Sequence, residues 1–537
     1  MKRLYRLYII AAAILLMAGG CKKYLDINTN PAVPQTSKAE LLLPPILFQM
    51  TNGTSQDYRL LWKFTQNMIG ASTDIASLYP EKHSFVANSD NGGVIWRMTY
   101  VDLGLNLENL INDAITNQKY EYAAIGYAIK AWAYQQTTDL HGPIILDEAF
   151  TPGMLKFPYH DQPEVYAKVR FYCEQSLKYS TMKSPLNYAT QLASVTGDGI
   201  YKGDMAKWRK FVYAIYALQY SHLINKPEFK TMYADSVVKY TNLSFASEAE
   251  SATVYFSAAS QDDTNPFGPT LGYINTSGTT STYYGRISTT ILNYLAGGVK
   301  GTPAVNPTSS LDPRLSRMLP ASTASATLGR YIAGVPTQGS STSGLPIVFG
   351  SIPAGATIYN GKYIFADAAR YPIMTYSQLQ FAKAEALFLQ GKTAEAYTAY
   401  KAGISGHMVF CNTYGRSSKT PDPLITDAEI NTYLASTEVA QSAATLTLAD
   451  IMGQKYIAQW GWAGLEQWTD LRKYHYDANV FRQFYQIPTA DLLLGGKYAY
   501  RFRPRYNSEY VWNAEELRKW GGLEPDYMTK ETWFSQP

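Results

Sequence analysis

Cysteine is scarce in this chain: Cys21, Cys173 and Cys411 are the only three among 537 residues. At most one disulfide can form beyond Cys21, which excludes a disulfide framework and a cysteine-rich metal site. Histidine is almost as rare. The six are His83, His141, His160, His222, His407 and His475, and no two stand at the H-x-x-x-H spacing that lets one helix face hold a metal. Apolar runs of about eighteen residues are missing from the body of the chain, which argues against a transmembrane helix there. Excess charge is missing too. Against 43 Asp+Glu stand 47 Lys+Arg, and three of those bases but no acid fall in residues 1–20, leaving 44 against 43 beyond them. Such a balance gives no attraction to nucleic acid.

Catalytic signatures are equally thin. The chain has no G-x-S-x-G elbow, no P-loop and no glycine-rich dinucleotide turn. The acid pairs Asp147-Glu148 and Asp262-Asp263 are sequence neighbours that point in different directions, whereas glycoside hydrolysis needs two carboxyls facing each other across about 5 to 10 Å. Asp26-Ile27-Asn28-Thr29-Asn30 opens like a calcium loop, but Pro31 stands where the turn requires Gly and no Glu follows at the twelfth position. The expectation is a protein that is not an enzyme and carries no metal and no cofactor.

What is present begins at the N-terminus. Lys2, Arg3 and Arg6 form a positive region, residues 7–17 an apolar one, and Ala18-Gly19-Gly20 supply small residues before Cys21. That order is a secretory signal peptide over residues 1–20, too short in its apolar part to span a bilayer. A cysteine directly after the small residues is what a bacterial lipoprotein needs, since its thiol is acylated and becomes the mature N-terminus. Cys21 is therefore the expected lipidation site, and the body is expected to be tethered to a membrane by lipid.

Aromatic residues are abundant, with 44 Tyr, 20 Phe and 10 Trp making 14% of the chain. Tyrosine joins an apolar face to a polar tip, which suits half-buried helix interfaces and ring-binding surfaces alike. Periodicity divides them. Residues 96–140 carry Trp96, Tyr100, Leu103, Leu107, Leu110 and Ala114, then Ile125, Ile129 and Trp132, at three- and four-residue steps, predicting two antiparallel helices that end at His141-Gly142-Pro143. Residues 204–225 give a further helix through Trp208, Phe211, Ile215, Leu218 and His222. Helices return at Tyr376, where small residues (Ala382, Ala384, Ala386) alternate with Phe381 and Phe388 and Gly391 leads into Tyr397, Tyr400 and Ile404. Small faces packed against large ones are the logic of a tetratricopeptide-like hairpin. A last block covers residues 448–471. Between about 265 and 359 the chain is rich in Ser, Thr, Gly and Pro without a sustained period, predicting loops and short strands. Trp96, Trp132, Trp208, Trp460 and Trp468 fall on helical stripes and are expected in the core.

Several segments together resemble the SusD/RagB family of outer-membrane nutrient-binding lipoproteins, in its SusD-like branch. They are Tyr24-Leu25-Asp26-Ile27-Asn28, Thr138-Asp139-Leu140-His141-Gly142-Pro143, Gly203-Asp204 with Lys207-Trp208 and Lys210-Phe211, Asp312-Pro313-Arg314-Leu315, Met374-Thr375-Tyr376, Gln454-Lys455-Tyr456, and Arg505-Tyr506 with Glu509 and Asn513. The family usually carries Tyr where this chain has His141. The resemblance implies a mainly α SusD-like fold over residues 21–537 as one domain, with TPR-like hairpins in helical blocks of about 39–240 and 376–475 and a loop-rich ligand face. It also implies a surface-exposed, outer-membrane lipoprotein capping a SusC-type TonB-dependent transporter.

Binding is the chemistry this composition favours. A sugar ring packs its C–H face on an aromatic plane while its hydroxyls seek amide, carboxylate or Arg partners. The candidate ligand-binding residues are Tyr79, His83, Phe85 and Asn91 in one loop region and Tyr283, Tyr284, Arg286 and Tyr331 in the middle stretch. An oligosaccharide is the first expectation for the ligand. Peptide or other cargo, or a mainly structural lid on the transporter, is the alternative.

Overall fold

The computed structural model describes residues 37–70, 78–271, 285–299, 301–302, 304–339, 345–351, 359–415 and 422–537. Cys21 with its export segment lies outside them, as do Tyr283 and Tyr284.

Helix α1 (Ala39–Phe64) is the spine, and its second half is buried on nearly every side, from Asp57 to Phe64 without interruption. After the two-residue strand β1 (Met68–Ile69), α2 (Val94–Arg97) passes through a π turn at Met98–Asp102 into α3 (Gly104–Thr116). A three-residue turn, with Gln118 left-handed at φ 54°, sends the chain into α4 (Tyr120–His141). Gly142 stops α4 at φ +83°, a conformation that favours glycine. The two antiparallel helices expected over residues 96–140 are thus present. Their close approach depends on Gly126 of α4, where a Cβ would come within 2.7 Å of Leu110 and 2.8 Å of Ile111.

Helix α5 (Gln162–Tyr179) packs on α4, and α6 (Met205–Ser221), capped by Asp204 through Ala206 N and Lys207 N, packs on α7 (Ala234–Leu243). Much of the tyrosine lies in these seams. Tyr216 stacks on Tyr240 at 4.6 Å and 15°, and Tyr127 on Tyr179 at 5.8 Å and 2°. Tyrosine in such half-buried grooves buries its ring and keeps its hydroxyl near water.

In the second block α9 (Tyr376–Leu389) and α10 (Thr393–Thr413) form the expected hairpin. Gly403 of α10 sits on the Phe381 ring of α9, where a Cβ would approach to 2.7 Å, so small meets large as the pattern predicts. Residues 448–471 contain two helices, α11 (Leu448–Gln459) and α12 (Gly464–Lys473), broken at Trp460-Gly461. The middle stretch is mostly loops and short antiparallel pairs: β1 with β3 (Arg286–Ile287), β2 (Ala252–Val254) with β6 (Tyr371–Met374), and β4 (Gly350–Ser351) with β5 (Tyr359–Asn360). One helix there, α8 (Thr289–Gly297), departs from the sequence expectation. Thr290, Ile291, Leu292, Tyr294 and Leu295 are buried and only Thr289 and Asn293 are polar on the half-exposed face, so nine residues are too few to set up a sustained helical period. The five helix-borne tryptophans are buried as expected. Cys173 and Cys411 are buried, unpaired thiols on α5 and α10. No helix among the described residues is long and apolar enough to cross a membrane.

The sequence landmarks are mostly polar pins between helices. Arg314 forks onto Asp312 (Nη2 to Oδ2, 2.6 Å) and reaches Gln454 of α11 at 2.7 Å. Lys455 bonds Asp470 at 2.7 Å and Glu385 at 3.3 Å, while Lys473 bonds Glu385 at 2.7 Å and Asp470 at 2.9 Å, a buried square of alternating charge joining α9, α11 and α12. Glu509 accepts from Trp96 Nε1 (3.2 Å), Tyr159 OH (2.6 Å) and Asn513 Nδ2 (3.1 Å), tying the C-terminal segment to α2.

Candidate ligand-binding face

The loop-bearing side is organised around β1 and β3, where Ile69 faces Arg286, and Arg286 also bridges to Ile347. Glu81, almost fully buried, binds these loops together. Its Oε1 accepts from Gly70 N at 2.7 Å and its Oε2 from Thr337 N at 2.8 Å, with Lys63 Nζ 4.0 Å away. Burial raises the pKa of Glu81 and lowers that of Lys63 to about 8. Gln66 completes the frame by accepting from Thr290 Oγ1 at 2.7 Å and Tyr485 N at 2.8 Å. Gly70, Gly285, Thr337 and Ile347 therefore meet over one rigid base.

The candidate residues separate into three groups. Tyr79, half-buried, opens the short 3₁₀ turn Pro80–Lys82 two residues before Glu81, and Asn91 is exposed beside Asp90, which is held by Arg505 at 3.2 Å and Asn507 Nδ2 at 2.8 Å. His83 and Phe85, expected on the ligand face, lie instead in the core. His83 is left-handed at φ 58° and stands edge-on to Tyr498 at 4.8 Å, and burial lowers its pKa to about 3, keeping it neutral. Phe85 packs against Phe64 at 5.4 Å and Phe502 at 4.6 Å. Neither ring offers a face to solvent, because the loop folds its own aromatic residues under itself as a root. Tyr331 is also buried, apart from this frame, beside Arg317 and Glu429 in a cleft of about 420 Å³. Tyr283 and Tyr284 fall outside the described residues.

Arg286 is the unusual member. It is 5% exposed, yet its Nε and Nη1 find no acceptor among the described residues. Burial lowers the pKa of its guanidinium. A buried cation without an acceptor costs several kcal/mol, so such a group is normally paired. The contrast with Arg314, whose guanidinium is fully bonded, is direct.

A buried Asp139, His222 and Glu466 group is the one cluster among the described residues with metal-ligand geometry. Its donors are already engaged. His222 Nε2 meets Glu466 Oε2 at 3.1 Å, its Nδ1 lies 3.4 Å from Asp139 Oδ2, and Asp139 also accepts from Tyr166 OH at 2.6 Å and Gln135 Nε2 at 2.7 Å. Burial opposes charge on His222, but the Glu466 and Asp139 carboxylates outweigh it and raise its pKa to about 9. With its imidazole between two carboxylates, the group acts as a buried ion-paired pin joining α4 and α12 to the end of α6. Sequence reasoning read His222 as a stripe residue of α6 and gave no sign of this group, because its members lie 83 and 244 residues apart from it.

Against known proteins, residues 30–480 match the SusD-like family described as starch-binding and associating with the outer membrane. No curated protein matches the sequence. Among solved structures, a SusD/RagB family protein from Bacteroides thetaiotaomicron superposes with a TM-score of 0.68 at 18% identity, covering 93% of this chain and 99% of its own. A SusD homolog from Bacteroides fragilis gives 0.69 at 17%, covering 93% and 100%. A chitin-binding SusD homolog from Flavobacterium johnsoniae gives 0.65 at 17%, covering 93% and 98%. These likenesses carry the fold, and the family match over most of the chain carries the membership. The chain belongs to the SusD-like family of proteins that associate with the outer membrane.

Proposed function

We propose that this protein is a lipid-anchored, surface-exposed binding protein that captures an oligosaccharide and passes it to a SusC-type TonB-dependent outer-membrane transporter. The observation that carries the ligand site is Arg286, a buried guanidinium with two N–H-bearing nitrogens lacking an acceptor among the described residues. A sugar hydroxyl or an N-acetyl carbonyl supplies an acceptor for these two nitrogens. Tyr79 stands two residues before Glu81, whose carboxylate accepts from Gly70 N of the same frame. The family description as starch-binding and the chitin-binding neighbour support a polysaccharide fragment as the class. Tyr283 and Tyr284 remain proposed stacking residues of this face. Cys21 is the proposed anchor.

Calorimetric titration of the mature chain with maltooligosaccharides and chitooligosaccharides tests the ligand. Binding that falls several-fold in Tyr79→Ala, with an unchanged melting temperature, supports the reading. Undiminished binding of an identified oligosaccharide by both Tyr79→Ala and Arg286→Met removes the site from this face. Delivery is tested by mild-detergent pulldown from the native membrane. Recovery of a TonB-dependent barrel supports it, and repeated recovery of the isolated protein refutes it.

A further inference from the structure

The geometry points to a second saccharide-binding cleft, built on Trp512 and independent of the Arg286 frame. Trp512 is 76% exposed, the most exposed aromatic side chain among the described large hydrophobics, and its neighbour Val511 is 52% exposed. These residues border a cleft of about 420 Å³ whose floor includes Phe157. Its rim is charged in pairs, Lys156 with Glu515 and Lys519 with Glu516, the latter at 2.5 Å.

The cleft is held rigid from below. Asn513 Oδ1 accepts from Phe157 N at 3.2 Å and its Nδ2 donates to Phe157 O at 2.9 Å, so one side chain clamps both backbone groups of the floor residue. Asn513 is in turn fixed by Glu509, which also receives Trp96 and Tyr159. Glu516 Oε1 accepts from Tyr159 N at 3.1 Å, anchoring the far wall. The exposed indole is thus carried on a stretch of backbone fixed by a buried polar network.

Size and charge select the occupant. About 420 Å³ falls in the usual range for small-ligand pockets. A flat indole takes the C–H face of a pyranose, while the lysine ammonium groups donate to ring or hydroxyl oxygens and the Glu515 and Glu516 carboxylates accept from hydroxyls at the same edge. A protein partner would have to cover those ion pairs directly beside the indole and desolvate them, which the small apolar area here does not offset.

The test uses the mature chain labelled with 5-fluorotryptophan. The Trp512 fluorine resonance is identified as the one missing from Trp512→Phe, a substitution at an exposed position that leaves the fold intact. Titration with maltohexaose and with chitohexaose is expected to move that resonance saturably for at least one of them. The movement persists in Arg286→Met, and Trp512→Ala weakens retention on the corresponding polysaccharide in affinity gels several-fold. A Trp512 resonance that neither oligosaccharide moves overturns the proposal, whether or not the Arg286 face binds. So does a resonance that responds only to the purified transporter, which would make the patch a protein contact.

Discussion

Trp208 donates its indole N–H to Asp198 Oδ2 at 2.7 Å, and both side chains are buried. The other bonds of Asp198 come from the backbone N–H groups of Ile200, Tyr201 and Gly203, so one carboxylate organises the whole approach to α6. Trp208→Phe keeps most of the apolar ring and removes the donor, with an expected loss of about 1–3 kcal/mol. Trp208→Ala adds a cavity and costs about 3–5 kcal/mol. Urea denaturation of the two variants separates these terms. Both variants lose the donor, so equal losses would mean that the ring's packing contributes nothing beyond the hydrogen bond.

How far the sequence reaches can be read from these residues. Periodicity placed Trp208 and the helices of residues 96–140 correctly, since a one-sided apolar stripe is written locally. α8 was not legible because it is only nine residues long, with just Thr289 and Asn293 as polar residues on its half-exposed face. His83 and Phe85 were misread for a different reason. A loop that tucks its own aromatic residues beneath itself has the composition of a binding loop, and only the rings of Phe64, Tyr498 and Phe502, far away in sequence, reveal the difference. Arg505, Glu509 and Asn513 stood out as family landmarks, but neither the network they form nor the exposed Trp512 beside it carried a local signal.

Arg286→Met tests whether the Arg286 guanidinium is kept for binding. Replacing a buried cation whose Nε and Nη1 have no acceptor among the described residues by an apolar side chain of similar length removes a desolvation cost, so the melting temperature is expected to hold or rise. Oligosaccharide affinity measured by calorimetry on the same protein is expected to fall several-fold. A marked loss of stability would instead assign Arg286 a structural partner.

Cys21→Ala is expected to abolish lipidation, because an acylated thiol would be the attachment and no described helix offers a second one. Palmitate labelling with membrane fractionation measures it. Unchanged labelling of the variant would remove the lipoprotein reading.

The buried square of charge predicts a large penalty for breaking one corner. Lys455→Met leaves Glu385 and Asp470 with only Lys473 to neutralise them in the interior of α9, α11 and α12. The expected cost is about 3–5 kcal/mol, since removing one partner of a buried ion pair strands the other. A variant unfolding at the parent's urea midpoint would show that the acids take up protons instead.

His222 gives the stability a pH dependence of definite sign. Its pKa rises from 6.5 to about 9 on folding because, against the cost of burial, Glu466 and Asp139 hold the proton. Below pH 6.5 the imidazole is protonated in the folded and unfolded chains alike, and the full benefit of the ion pairs is present. As pH climbs toward about 9 the unfolded chain releases the proton while the folded one retains it, so folding becomes progressively less favourable. The span from 6.5 to about 9 corresponds to roughly 3 kcal/mol. His222→Gln cannot carry that proton, so its deficit against the parent is expected to be largest below pH 6.5 and to shrink as pH rises past about 9. Urea midpoints of parent and variant across this range measure the gap. A gap that stays constant would mean that His222 has the same pKa in the folded and unfolded chains, and a gap that shrinks as pH falls below 6.5 would mean that it is neutral in the fold.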